Sequence, residues 1–478
     1  MPLLHIYAMK DHAVIYGLGE YGWPMVQMLV IHGIPVTVIE PDTHNVHFAW
    51  ANNNGVDIVT GSIRDINNLS KANVMEAKYL LALTENDATN VEIIREAFQL
   101  KSNNPGSSPL NCIAHIAGQE SASAVYDVSL FSKDHDCFSA HGINTNQMAA
   151  RWLLANHGPD TEITRVIPNP DDLGVLLFGS NKFVEYFILR LAKLGHYGNS
   201  QPLKIILAGP QATSQLTVLR KRFPALSAIV NITGRDIEPA FLHTNSSQQL
   251  IDDFNPSTVY VCAADAKLTP IWSKALAQLE IDCPIIMCQW PADFLPEIVE
   301  EEFSFQTHVK FVHLTKEVFD FNQIFNAIHD QLAIAIHNHY VETQIIAGET
   351  GRTNASLVRW EDLPETLKDA NRSQADHLQI KCRTITGSMD YTALSVAQHL
   401  DDANIERLSR MEHERWTAEK LLDGWRYTGG IKNTEARLSP NLISWEELPE
   451  FEREKDRDSV RNIPRLLQWI ESRRTSLT

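Results

Sequence analysis

The residues best suited to chemistry lie near the start of the chain. Gly17-Leu18-Gly19-Glu20-Tyr21-Gly22 follows a short apolar run, His12 to Tyr16, and opens an amphipathic stretch that continues through His32. A second apolar run, Pro35 to Ile39, ends in Glu40, about 20 residues beyond the glycines. Each residue type has a job in holding a pyrophosphate. Gly17 permits a tight turn, Gly19 lets the backbone approach the phosphates, and Gly22 allows close packing of the helix. The helix N-terminus offers free N–H groups and a partial positive charge. Glu40 would accept hydrogen bonds from ribose hydroxyls, and an acid there disfavours a 2′-phosphate, so NAD(H) or an adenine nucleotide is preferred to NADP(H). The candidate cofactor contacts are Gly17, Gly19, Glu20, Tyr21, Gly22 and Glu40. A scaffold of the same shape with an empty site is the other reading.

A second concentration of such residues lies near the C-terminus. Trp416, Trp425, Tyr427 and Trp445 supply aromatic surface, and Arg415, Arg426, Lys455 and Arg457 supply cations beside it. Aromatic rings stack on bases and arginine forks hold phosphates. His413, Trp416, Trp425, Arg426, Tyr427 and Arg457 are the candidate ligand contacts. The competing reading is packing: Ile405, Leu408, Met411, Ala418 and Leu422 make a helical core stripe that the tryptophans would complete, with Glu406 and Arg410 a surface pair.

No convincing His/Asp or Lys/Tyr set accompanies either region, so binding without catalysis is expected. The six cysteines, at 112, 137, 262, 283, 288 and 382, form no CxxC pair, which suits a reducing cytoplasm and gives no metal site. His337 and His339 lie two apart and face different sides of a helix, which suits packing or a surface better than a metal.

These residues need elements to position them. Strands are expected at 12–16, 35–39, 57–60, 78–84 and 111–116, with helices near 42–54, 66–76 and 87–100, giving a mostly parallel, doubly wound sheet. The alternation restarts at Leu173, with apolar runs at 174–178, 203–210, 258–267, 283–289 and 308–314. Aligned with the first unit, this one keeps only Gly179, because Asn181 and Val184 replace the other glycines and its second strand ends in Ala208-Gly209-Pro210, without an acid. A silent structural copy is favoured over a site for a different ligand. A helix is expected over 317–340. After a Gly/Thr/Ser-rich stretch, Trp360-Glu361-Asp362-Leu363-Pro364-Glu365 with Asn371-Arg372 recurs as Trp445-Glu446-Glu447-Leu448-Pro449-Glu450 with Asp456-Arg457, each copy a Pro-containing turn before a helix. The expected organisation is α/β: two tandem doubly wound Rossmann-type domains at 1–160 and 165–340, a linker at 341–357, and a mainly helical domain at 358–478.

Lys plus Arg at 41 against Asp plus Glu at 59, a formal charge of −18, leaves no basic field for nucleic acid. No signal-peptide pattern opens the chain, and no membrane-spanning run is expected.

The strings KDHAVIYGLGEYG, VTVIEPD, IVTGSIRDINNLSKANVMEAKYLLALTENDATN and INTNQMAARWLLAN resemble the N-terminal domain of RCK (KTN) proteins, cytosolic regulators of potassium channels and transporters. Gly61, Thr84, Asp87 and Asn90 fall in the family's order, and Gly61 and Thr84 join the candidate contacts on that ground. The family's Gly-Asp pair reads Gly61-Ser62 here, which removes a polar contact near the nucleotide. The resemblance implies a domain that senses NAD(H) or ATP/ADP. MEHERWTAEKLLDGWRY and SPNLISWEELPEFEREKDRDSV resemble the ryanodine-receptor repeat, the RyR domain, which in bacteria occurs joined to RCK-like units. The insert Thr428 to Arg437 departs modestly from the usual length.

Together these imply a cytoplasmic regulatory protein that responds to a nucleotide, homo-oligomeric, placed beside a potassium channel or transporter, either free in the cytoplasm or at the periphery of the inner membrane. The alternative is a soluble sensor in a nucleotide-signalling defence pathway, with the RyR-like domain binding a cyclic or linear nucleotide.

Overall fold

A run of apolar residues that alternates poorly makes a strand buried on both faces, the condition of a central parallel strand. Strands β1 (Ala13–Tyr16), β2 (Val36–Glu40) and β4 (Tyr79–Ala82) are buried at every position. With β3 (Asp57–Thr60), β5 (Leu110–His115) and β6 (Phe138–Ile143) they form one sheet, order β3-β2-β1-β4-β5-β6, all pairs parallel. Strands β7 (Gly174–Phe178), β8 (Lys204–Gly209), β9 (Asn231–Asp236), β10 (Thr258–Val261), β11 (Ile285–Gln289) and β12 (Val309–His313) form a second parallel sheet, order β12-β11-β10-β7-β8-β9. Both orders are the 3-2-1-4-5-6 of a doubly wound fold, with ligand sites expected at the carboxyl ends of the strands near the central crossover. The computed structural model describes residues 9–62, 65, 67–104, 108–118, 137–161, 173–199, 201–238, 245–262, 269–276, 279–290, 308–326 and 330–477. Part of the run expected at 258–267 lies outside them.

The helices that matter below are α1 (Gly22–Ile31), α2 (Phe48–Asn53), α3 (Asp87–Ser102), α4 (Thr145–His157), α5 (Lys182–Leu194), α6 (Gln331–Ile346), α7 (Glu365–Thr386), α8 (Asp402–Leu422), α9 (Glu450–Arg461) and α10 (Ile463–Leu477). Two expected helices are shorter than their sequence pattern. Only α2 forms within 42–54, because the Asp42 and Asn45 side chains accept from the backbone N–H groups of His44 and His47 and hold turns instead. The stretch 317–340 is broken: Asp320 accepts from the Gln323 N–H and starts a new helix, Phe321–Asn326, after Leu314–Val318. Phe321 stacks on His32 at 4.9 Å and Phe325 on Tyr79 at 4.4 Å.

The chain divides into two compact units, Met1–Met148 with Thr315–Ile328 and Val341–Lys368, and Ala149–Leu314 with His329–Tyr340 and Asp369–Thr478. The second therefore contains both the second sheet and the C-terminal helices, and buried charge joins them. Asp369, Arg372, Ser373, Asp376 and Arg383 recur at helical spacing along α7. Asp376 accepts from Arg151, at 2.9 and 3.1 Å, and from Arg190 of α5. Arg190 also donates to Ser373, Lys193 pairs with Asp369 at 3.0 Å, and Arg383 pairs with Asp160 at 2.6 Å. Asp330 joins Arg151 to Arg372. Against a desolvation cost that would raise it, Arg151 and Arg190 hold the Asp376 carboxyl below its usual range.

Removing one partner from such a cluster leaves a buried charge uncompensated, which typically costs about 3–5 kcal/mol. Asp376→Ala, which leaves Arg190 without a carboxylate and Arg151 with Asp330 alone, is expected to lose about that much in urea denaturation of the intact chain. A loss below about 1 kcal/mol, the worth of a surface pair, would show that the cluster does not hold these elements together.

Candidate functional site

The site begins where β1 ends. Gly17 takes φ +91°, a left-handed conformation that side chains other than glycine's resist, and its N–H donates to the Ile39 carbonyl at 3.0 Å. The chain turns so sharply that a Cβ on Gly22 would stand 1.9 Å from the Gly17 carbonyl oxygen. A Cβ on Gly19 would meet nothing within 4 Å. The protein itself thus demands glycine at 17 and 22, whereas at 19 it leaves open space. Tyr21, at the N-cap of α1, contributes no side-chain cap; the Trp23 N–H donates to the Gly19 carbonyl at 2.9 Å and Pro24 has none, so an anion would have to meet the N–H groups of the turn before them.

Glu40 is buried at the end of β2, and both of its oxygens are engaged. The Leu18 N–H donates to Oε2 at 2.6 Å and the Asp42 N–H to Oε1 at 2.9 Å. Asn45 Nδ2 donates to the Leu18 carbonyl at 3.2 Å. The carboxylate therefore latches the glycine turn to the loop after β2. Each oxygen has a second lone pair with which to receive a ribose hydroxyl.

The residues the family order singled out organise the neighbouring strand ends. Asn90 accepts from the Thr84 N–H and hydroxyl and donates to the carbonyls of Thr84 and His115, tying the ends of β4 and β5 together. Asp87 accepts from the N–H groups of Ala117 and Gly118, each at 2.8 Å. A Cβ on Gly61 would meet the Asn68 side chain at 2.5 Å, and Asn68 holds the Ser62 carbonyl. Tyr21 stacks on His115 at 4.0 Å. Burial pushes His115 down to about 4, and its Nε2 pairs with the Thr145 hydroxyl. Partial desolvation, then the Glu85 carboxylate, pushes the Glu20 carboxyl up. His115, Asn45 and Asn68 were not apparent in the sequence, since no spacing distinguishes them from other polar residues. Among the described residues no cluster of three His, Cys, Asp or Glu side chains could hold a metal.

Strand register gives the second sheet the same frame, and a different end. Gly179 donates to the Ala208 carbonyl as Gly17 does to that of Ile39, which puts Gly209 where Glu40 stands. A Cβ on Gly179 would lie 2.4 Å from the Cys262 carbonyl oxygen. Asn181 caps α5 with its own side chain, accepting from the Val184 N–H at 2.9 Å and donating to the Cys262 carbonyl at 3.2 Å. The N–H that a phosphate would want at Val184 is already taken.

The C-terminal candidates fall into two groups. His413 is buried on α8, bonds the Ile443 carbonyl at 2.8 Å, and lies against Trp416 and Trp445. Arg457 belongs near this group, over the Trp445 ring, but it is not a free exposed cation. It is bound by Glu406, Glu450 and Glu454, with 14 % of its side chain exposed. Glu406 serves Arg457 and the Trp445 N–H, and Arg410 pairs with Glu446, so the expected Glu406/Arg410 pair gives way to longer-range partners. Arg415, another expected phosphate cation, is buried between Glu412 and Glu419, and Lys381 pairs with Glu412. Trp425, Arg426 and Tyr427 lie elsewhere on the surface, with Lys420 and Lys432 over the Trp425 ring at 5.6 and 5.8 Å. Of the core stripe, Leu408, Met411, Ala418 and Leu422 are buried.

The TrkA-N domain profile matches residues 13–130, and the RyR domain profile matches residues 387–473. The chain carries a TrkA-N domain and an RyR domain. No curated protein matches it. Similar solved structures include GsuK bound to ADP, 12% identical, with 67% of this chain and 70% of that one covered and a TM-score of 0.46. The GsuK channel bound to NAD is 12% identical over 65% and 63%, TM-score 0.45. The TrkA-N domain of the inner membrane protein ybaL from Escherichia coli is 21% identical over 31% and 96%, TM-score 0.25. The doubly wound order of the TrkA-N region is read from its own strands.

Asp456 offers a pH test of the RyR region. Burial, then the Glu412 carboxylate, pushes its carboxyl up to about 7. A carboxyl raised in the folded state favours folding while protonated, so stability is greatest below its unfolded value near 4 and falls as pH rises toward 7. Asp456→Asn is therefore expected to melt above wild type at pH 8, with the difference shrinking toward pH 4. A difference that does not change with pH would contradict the burial assigned to this carboxyl.

Proposed function

We propose that the TrkA-N domain binds an adenine nucleotide, NAD(H) or ATP/ADP, across the Gly17–Gly22 turn, and that the chain is a regulatory ligand sensor and not an enzyme. One arrangement carries this reading: the uncapped N-terminus of α1 opens beside the clear space at Gly19, with the Glu40 carboxylate fixed at the end of the next strand. Phosphates would take backbone N–H groups of the Gly19–Gly22 turn, since the Trp23 N–H already donates to the Gly19 carbonyl and Pro24 has none, and the ribose would take the free lone pairs of Glu40. His115, stacked on Tyr21, is buried, which suits a wall of the site better than a proton carrier.

The partner in this proposal is a potassium channel or transporter, with the chain acting as a homo-oligomer at the cytoplasmic side of the membrane. The RCK resemblance and the TrkA-N match support that setting. Among the described residues no helix is long and apolar enough to cross a membrane. Ligand would act on a partner only through a difference in affinity between two conformations.

The two glycines separate binding from folding. Gly19→Val is expected to fold with an unchanged melting temperature and to lose ADP and NAD binding in calorimetry, since the added side chain meets only the space the phosphates need. Gly22→Val, by contrast, is expected not to fold, because its Cβ falls on the Gly17 carbonyl. Unchanged nucleotide affinity in Gly19→Val would overturn the assignment.

A further inference from the structure

The insert at 428–437 is absorbed by none of the roles above. It is nevertheless a built projection. Two-residue strands, Arg426–Tyr427 and Leu438–Ser439, hold its ends, and Asn433 and Leu438 exchange backbone hydrogen bonds at 2.9 and 2.8 Å. Arg437 Nη1 donates to the Asp423 carbonyl at 2.7 Å. What this frame presents to water is unusual: Ile431 is 92 % exposed, Tyr427 58 % and, on the adjoining first turn of α9, Phe451 67 %.

Cations lie beside these side chains, and the carboxylates of Glu450 and Glu452 that flank Phe451 are engaged by Arg453, Arg457 and Lys455. Lys432 and Lys420 both lie over the Trp425 ring, at 5.8 and 5.6 Å, and Lys455 lies over Phe451 at 5.7 Å. Partial burial, then Lys420, with Lys455 adding and Glu452 opposing, hold the Lys432 ammonium below its usual range, so these lysines share one neighbourhood. Lys420 and Lys455 have Glu419 and Glu452 as partners. Arg426 and Lys432 pair with no carboxylate among the described residues.

We propose that this projection is a docking tip for an anionic lipid surface, with Ile431, Tyr427 and Phe451 entering the headgroup region and Lys432 and Arg426 meeting lipid phosphates. Two observations favour a bilayer over a protein. Three projecting side chains fall far short of the roughly 800 Å² per partner that a stable protein interface buries. Aromatic and aliphatic tips flanked by Lys and Arg suit the water–lipid boundary, where rings and long cationic stems are half-immersed. The chain's charge of −18 repels such a surface elsewhere, so the tip would also fix orientation. This inference is independent of the nucleotide reading.

The test is co-sedimentation of the intact chain with phosphatidylcholine vesicles, with and without phosphatidylglycerol. Binding is expected only with the anionic lipid and is expected to weaken with salt. Ile431→Asp and Lys432→Glu alter exposed side chains and should leave melting unchanged. Ile431→Asp should weaken binding by about tenfold or more, the scale of withdrawing one large apolar side chain from lipid. Ile31→Asp, at another exposed isoleucine outside the patch, should bind as wild type does. The proposal is overturned by no binding, by equal binding to both vesicle types, by full binding of Ile431→Asp, or by equal loss in Ile31→Asp. Self-association abolished by Ile431→Asp, without vesicle binding, would assign the tip to a second copy of the chain and overturn it as well.

Discussion

A strand that hands over to a helix within a few residues leaves almost no room at the turn, and that shortage of space governs both Rossmann-type sheets. In the first, a Cβ at Gly22 would sit on the Gly17 carbonyl, so α1 must start with its N-terminus directly over the end of β1. The partial positive charge aimed at the crossover of the sheet follows from this geometry. In the second, the same tightness is met at Gly179 against Cys262, but Asn181 then satisfies the helix end from within. One fold thus yields an open N-terminus and a closed one, and the difference lies in a few side chains.

The second unit buries many of its charges in pairs between its elements. Five polar or charged side chains on α7 meet Arg151, Asp160, Arg190, Lys193 and Asp330, and Lys381 of the same helix joins Glu412, Arg415 and Glu419 of α8 in a second buried chain. Such clusters bring little net stability over a well-packed apolar face, yet they penalise any arrangement that separates the partners. The second sheet's helix caps itself through Asn181 and the C-terminal helices are tied by buried charge, the features a scaffold would need.

The central strands were legible because burial on both faces leaves near-continuous apolar runs, as in AVIY and GVLLF. Strands β6 and β9 were not: FSAHGI and NITGRD lie at sheet edges, half in water, and their composition is that of a loop. The glycine turn was legible because steric demand has a residue signature. The second role of Glu40, as a latch on Leu18 and Asp42, was hidden because a backbone N–H partner leaves no mark on sequence. The charged face of α7 reads like a solvated surface, and Arg457 like an exposed cation. Only the placement of Asp376, Glu406, Glu450 and Glu454 shows that both are committed.

That one sheet is open to a nucleotide and the other closed is best tested by stoichiometry. Calorimetric titration of the intact chain with ADP should give one site per chain. Two sites would mean that the Asn181 cap yields to phosphate, and none would mean that the turn between Gly17 and Gly22 is as silent as its copy.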